Sequence, residues 1–473
     1  MKMNRNYYLD TFSVSEETLR QTVQEGLRGG DWCDLYFEQT AYYDLLLRDG
    51  VVASGGFHMD YGCGVRVLSG EKTGYAYTES TDKSSLLSAA RAATAIGKAG
   101  YGIPVSKDAS GKCATDVCRC RHPWQESEAS AFVPWLEKLE ARIRARESRV
   151  HKVIAMLSYS QSDVMIYNSL GELCFDSRPL GSVSATVIFN WKGKTEQRSV
   201  SRSLRCGSEL LTDSLIEELS DKAVSNLDDS FNARRPKGGR MSVVMAAGAS
   251  GILLHEAMGH AFEADFNRKG QSIFCDRIGQ RICRKGINIV DDATIPGNRG
   301  SLNIDDEGIP GQKTYMVEDG VLTSFLHDRI SAAYYGVAPT GNGRRESFRY
   351  NPIPRMRATY MESGSDGTLG ELISSVKKGV FVNQFSNGEV KIGEGDFTFY
   401  VKSGYLIENG RLTMPVKDIN IIGNGPQALA DIEAVAGDLI IDDSTWTCGK
   451  EQSVAVSCGI PSVLVNNLTV GGE

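Results

Sequence analysis

The chain has 473 residues, 41 % apolar and 23 % charged, with a formal net charge of −7. That length exceeds what one hydrophobic core usually organises, so two or three domains are expected, and the acidic balance argues against a direct nucleic-acid partner, which selects a basic surface. The opening "MKMNRNYYLDTFSVS" lacks the apolar core of a secretory signal, and no stretch reaches the roughly 18 apolar residues of a membrane helix, so a cytoplasmic protein without membrane association is expected.

Residues 15–28, "SEETLRQTVQEGLR", predict an amphipathic helix, with Ser13 and Glu16 spaced as a capping box. A β-rich stretch follows, in which Asp49-Gly50 between two apolar runs is a hairpin signal. "KSSLLSAARAATAIGKAG" predicts an alanine-rich helix stopped by Gly100, and "PWLEKLEARIRARESR" a second, charged one. Between them lies a polar connection that leads into Cys113, Cys118 and Cys120, close to His122. Their spacing fits no common zinc knuckle, and the chain's eleven scattered cysteines suit free thiols in a reducing compartment.

From about Val153 to Arg205 alternating strands return, followed by the helical "SLIEELSDKAVSNLDDS". "FNARRPKGGR" then breaks the pattern, which places a domain boundary near residue 237. The expected class is α+β: an N-terminal domain, 1–236, of antiparallel sheet and helices, and a C-terminal, mostly antiparallel β domain, 237–473, carrying one functional helix. In the second half Asp319-Gly320, Asn387-Gly388 and Asn409-Gly410 each predict a two-residue hairpin turn, because these pairs accept the positive φ angles such turns need.

That helix contains "LLHEAMGHAFEADF", residues 253–266, with two of the chain's six histidines. His255 and His260 are five apart, roughly 140° around an ideal helix, so they share no face. The established zinc helix spaces its histidines four apart. A helix bulged or broken at Met258–His260, where Gly259 tolerates distortion, would bring the two rings together. Neutral imidazoles suit zinc, with one coordination position left for water. Glu256, beside the first histidine, is placed as a general base. The plain alternative is a pair of core histidines. Glu263, Asp265, the cluster Asp305-Asp306-Glu307, Cys448 and Cys458 are all candidates for a third ligand, and composition does not choose among them.

Six motifs in order, "LLHEAMGHAFEADFNRKG", "NIDDEGIPGQ", "PTGNGRRES", "YLIENGRLTMPVKD", "CGKEQSVAV" and "LTVGG", resemble the TldD branch of the TldD/PmbA family, densely over residues 240–473 and more thinly before. The resemblance implies a zinc metallopeptidase in which His255, His260 and Cys448 are the ligands and Glu256 is the base, with Cys458 second to Cys448. It implies unfolded peptide substrates, and a dimer that encloses the active site, formed with a related PmbA/TldE-type subunit or with a second copy. In the family pattern a glycine follows the acidic residue after "CGK". Here Glu451 runs directly into Gln452, which puts the register of the following strand in question.

Two other motifs have plainer expectations. "APTGNGRRES", 338–347, offers Arg344 and Arg345 to the acidic cluster or to a substrate terminus, or simply to a salt-bridged structural loop. "IDDEGIPG" reads as a turn supporting the histidine helix, since nothing around it resembles an EF-hand. Two further functions remain beside the peptidase: a non-catalytic regulatory or binding role of the gyrase-modulator kind, which needs neither HExxxH nor Cys448, and a zinc hydrolase acting on a non-peptide amide.

Overall fold

The computed structural model describes residues 4–95, 116–118, 120–248, 250–391 and 393–472. Gly100 and Cys113 lie outside the described residues.

The N-terminal half is built on long strands. β1 (Trp32–Arg48) and β2 (Val51–Ser69) turn through Asp49-Gly50 at φ 49° and 77°, the two positive values a tight hairpin demands. With β3 (Lys72–Thr78), β4 (Val150–Asn168), β5 (Leu173–Trp191) and β6 (Lys194–Leu204) they form an antiparallel sheet in the order β3-β2-β1-β4-β5-β6.

Alternation along β1 explains what covers this sheet. Leu35, Phe37, Leu45 and Leu47 point to one face and are buried by helices. At one end of that face α1 (Arg5–Thr11), α2 (Glu16–Gly26) and α3 (Lys83–Thr94) cover Leu35 and Phe37. At the other, α4 (Val133–Arg146) and α5 (Asp213–Val224) cover Leu45 and Leu47. The helices α2, α3, α4 and α5 follow the expected stretches, but Ser15 caps α2, its hydroxyl accepting from the Thr18 amide. Ser13 instead turns the preceding loop at φ 50°.

The intervening residues of β1 and its neighbours face the C-terminal half. Tyr36, Val164 and Ile166 pack on Ile304 and Phe348. Polar groups on the same face are buried and paired: Arg66 meets Glu307 at 2.6 Å, Arg178 meets Asp306 at 2.5 Å, and Glu38 accepts from the Phe348 amide at 2.7 Å. The two halves thus meet through buried ion pairs in which each charge depends on its partner across the join.

In the C-terminal half, β7 (Gly239–Met245) and strands 378–390, 396–408, 419–424 and 463–471 pair in a closed ring. A second sheet holds strands 289–292, 313–318, 358–361, 440–442 and 457–460. Pairing is mostly antiparallel, as expected, with β7 parallel to 378–390 and 358–361 parallel to 457–460. Asp319-Gly320 and Asn409-Gly410 form their hairpin turns, at φ 46° and 78° and at φ 50° and 75°. Asn387-Gly388 does not. Both residues lie within strand 378–390, opposite Tyr400 and Phe399. The reversal comes later, between Lys391 and Asp396, with Gly395 at φ 77°. Cross-strand pairing has overridden a local turn signal. Among the described residues no helix is long and apolar enough to cross a membrane.

Candidate metal centre

The histidine helix begins at Gly251, ends at Ala257 and gives way at Met258, φ −134° and ψ −37°, to a single 3₁₀ turn over Gly259–Phe262. The break falls where the spacing of His255 and His260 requires one, though as a change of helix type and not a π-type turn. Gly259 is there for space: a Cβ on it would stand 2.3 Å from the Met356 sulfur. Gly251 has the same function at the helix start, where a Cβ would meet the Gly459 backbone amide at 2.7 Å. Two glycines thus let the helix lie flat against strand 457–460 and the segment around Met356.

The break turns both rings inward. His255 and His260 are buried, with ring centroids 5.3 Å apart at 80°. Cys448 comes to them on strand Thr447–Lys450, one arm of a hairpin completed by Gln452–Ala455. Its Sγ lies 3.4 Å from His260 Nε2. Donor atoms of His255, His260 and Cys448 all fall within 4.8 Å of one another. Tetrahedral zinc bonds of about 2.0–2.3 Å place neighbouring donors roughly 3.3–3.7 Å apart, so this cluster can close on one ion with little movement. Both ring nitrogens of His255 are buried with no hydrogen-bond partner. A buried polar atom left unpaired is costly, and a ligand supplies what the protein does not.

Electrostatics act on the two donors in opposite senses: they ready the thiolate and leave His260 a proton that a metal must displace. Burial disfavours charge on His260, but Glu263 and the Cys448 sulfur outweigh it and push the imidazole up to about 10. Burial also disfavours a Cys448 thiolate, yet His255 and His260 hold the thiol down at about 4. Thiolate is the form that binds metal.

The remaining acidic candidates have other partners. Glu263 Oε2 takes His260 Nδ1 at 2.9 Å, the contact that orients a ligating imidazole and leaves Nε2 for the ion. Burial opposes the Glu263 carboxylate, but Lys450 and His260 hold its carboxyl well below the usual range. Lys450 Nζ reaches Glu263 at 3.0 Å and Asp265 at 2.8 Å. Asp305 accepts from the amides of Glu307, Ile309 and Gly343, while Asp306 and Glu307 pair with Arg178 and Arg66. That acidic cluster therefore joins the two halves. Cys458 is buried, and burial with Asp442 and Glu256 nearby pushes its thiol up, away from the reactive form. Arg345 serves the join: its amide and guanidinium hold Asp306, and the guanidinium donates across to the Tyr75 hydroxyl at 3.1 Å and stacks over Tyr36. Arg344 is equally buried but donates to the carbonyls of Met356 and Ala455, not to the acidic cluster. Cys118, Cys120 and Cys174 are free thiols.

Glu256 is partly exposed, with a carboxylate oxygen 3.9 Å from His260 Nε2. Its carboxylate stands beside the buried donor cluster and keeps contact with solvent. The Glu451–Gln452 junction forms the hairpin tip: Lys450 pairs with Gln452, Cys448 with Val454, and Glu451 makes the turn at φ 57°. One residue in a left-handed conformation thus makes the turn, and the strand pairing runs unbroken from Lys450–Gln452 to Thr447–Ala455.

Residues 33–97, 122–227 and 238–472 match, in turn, the PmbA/TldA metallopeptidase domain 1, central domain and C-terminal domain. The chain is 38 % identical to the metalloprotease TldD homolog of Haemophilus influenzae, over 94 % of both chains. The chain belongs to the PmbA/TldD metallopeptidase family. A zinc metalloprotease TldD homolog from Saccharolobus solfataricus is also 38 % identical, over 50 % of this chain and 53 % of its own length. Among solved structures, TldE from Thermococcus kodakarensis shares the fold, with a TM-score of 0.74 at 18 % identity over 96 % of this chain and 100 % of that one. Within this PmbA/TldD chain, Lys450, Glu263 and Arg355 surround the donor cluster. Glu263 lies in the histidine motif and Lys450 in "CGK", but nothing in the sequence singles out Arg355 or joins the three.

Proposed function

We propose that the protein is a zinc-dependent peptidase that hydrolyses unstructured peptides, with His255, His260 and Cys448 as metal ligands and Glu256 as general base. One observation carries this reading: three buried donors of the zinc-binding type, from two distant segments, within 4.8 Å of one another. A purely binding role, of gyrase-modulator type or other, gives no reason to gather them.

A zinc ion held there would supply Lewis acidity, polarising a peptide carbonyl and acidifying water. The chain's own groups supply the rest. Glu263 fixes the tautomer and tilt of His260 through Nδ1. Glu256, partly exposed beside the donors, takes the proton of the attacking water and hands it to the leaving amine. An extended peptide would bind largely by backbone hydrogen bonds along a strand, with little side-chain selectivity.

The same reading places a domain boundary near 237, between the long sheet that ends at Leu204 and strand β7 that starts at Gly239. It makes the protein cytoplasmic and dimeric, with a TldE-type subunit or a second copy closing the site to folded proteins. Metal content by mass spectrometry and cleavage of a casein-like unfolded substrate, with and without a TldE-type subunit, test it together. Zinc bound and cleavage lost on Glu256→Ala supports the reading. Absence of cleavage even with the second subunit contradicts it.

A further inference from the structure

We infer that Arg355 is a positioning residue for the metal centre, tying the hairpin that bears Cys448 to the carboxylate that orients His260. The inference rests on the metal-site reading above. Arg355 follows the short strand Ile353–Pro354, and its side chain is fully buried. Its Nη2 donates to the Cys448 carbonyl at 2.7 Å, and Nη1 donates to the Gln452 carbonyl, also at 2.7 Å. Those carbonyls belong to opposite arms of the hairpin. The planar fork therefore spans the turn and holds the two arms together from one side.

The third nitrogen points at the other ligand segment. Arg355 Nε lies 3.8 Å from Glu263 Oε1, and neither atom has a hydrogen-bond partner. The second oxygen of Glu263 holds His260 Nδ1 and Lys450 Nζ. One guanidinium thus bears on both ligands that lie 3.4 Å apart, through a backbone carbonyl on one side and a carboxylate on the other.

The hairpin needs this brace. It pairs with no other strand among the described residues, and its tip is a non-glycine residue at φ 57°. A left-handed glutamate does not by itself stabilise a tight turn. Lys450 also ties the hairpin to Glu263 and Asp265, but Arg355 is the side chain bound to the Cys448 carbonyl itself, and a loosely held donor weakens metal binding. Lysine cannot replace the fork, because it is a single point charge without two parallel donors.

The test is zinc affinity of the full chain, measured by competition with a chromophoric chelator, alongside the thiolate-to-cobalt absorption band of the cobalt-loaded protein. Arg355→Met and Arg355→Lys are both expected to weaken zinc binding about 10- to 100-fold and to shift the cobalt band. Arg357→Met is the control: Arg357 is equally buried, but its guanidinium donates to the carbonyls of Leu302 and Gly341. It should lower thermal stability and leave zinc affinity and the cobalt band as in the wild type. Should Arg355→Met not fold, Arg355→Lys, which keeps the buried charge, decides the question. A folded Arg355 variant with wild-type affinity and an unshifted band overturns the inference and leaves the metal site standing. A wild-type chain that takes up no zinc overturns the metal site, and the inference with it.

Discussion

Cys448 Sγ and His260 Nε2 lie 3.4 Å apart although 188 residues separate them in the chain. The contact joins a helix broken at Met258 to a two-stranded hairpin that pairs with nothing else among the described residues. Neither element forms such a contact from its own local preferences. It depends on glycines that let the helix sit close to strand 457–460 and on buried charges that hold the hairpin.

The first prediction concerns ligand identity. Cys448→Ser should lower bound zinc from about one ion per chain to a small fraction, since a hydroxyl is not a thiolate ligand. Cys458→Ser should leave metal content unchanged, because its sulfur stands outside the donor cluster. Elemental analysis after dialysis against a weak chelator measures both. Equal zinc in wild type and Cys448→Ser would remove Cys448 from the site.

How much of this was legible in the sequence differs by scale. Strand alternation and the Asp49-Gly50, Asp319-Gly320 and Asn409-Gly410 turns were readable because pairing follows local pattern there. Asn387-Gly388 misled because a strand partner outweighs a turn preference when the reversal can be made a few residues later. The need for a helix break followed from the five-residue histidine spacing alone. The third ligand did not: Cys448 and Cys458 are both buried thiols, distinguished only by which one meets the imidazoles. Glu263, Lys450 and Arg355 were invisible as a group, because their contacts span 187 and 92 residues between Glu263 and its two cationic partners. Charges that distant converge only through the fold.

Metal and proton should compete for His260. Its imidazole is held up to about 10, so below that value it carries a proton that a metal must displace. Cys448, held at about 4, is already ionised across the neutral range and adds no further slope there. Zinc affinity is therefore expected to rise with pH between 6 and 8 by about tenfold per unit from this one group. Chelator competition across that range, with calorimetry in buffers of different ionisation enthalpy, should find a proton released from His260. An affinity flat with pH would show that His260 is neutral before metal binds.

Glu256→Gln should separate binding from chemistry. The side chain keeps its size, lies outside the His–His–Cys donor set and loses its basicity. Zinc content should match the wild type, while turnover of an unfolded peptide falls by about 10²–10⁴-fold, the usual contribution of a general base. Retained turnover would assign the proton transfer to another group.

The join between the two halves should be sensitive to single charge deletions. Arg66 and Glu307 are both fully buried and 2.6 Å apart. Arg66→Met leaves Glu307 and Asp34 buried without their cation and should cost about 3–5 kcal/mol in denaturant unfolding. Adding Glu307→Gln should recover part of that loss, because it removes one of the uncompensated charges. A strictly additive double variant would show that the pair is not coupled.

Anomalous scattering at the zinc edge from a crystal of the metal-loaded chain tests the central claim most directly. The account predicts one peak, about 2.0–2.1 Å from a nitrogen of each of His255 and His260 and about 2.3 Å from Cys448 Sγ. A peak bonded to any other side chain in place of Cys448, or no peak between the two histidines, would contradict it.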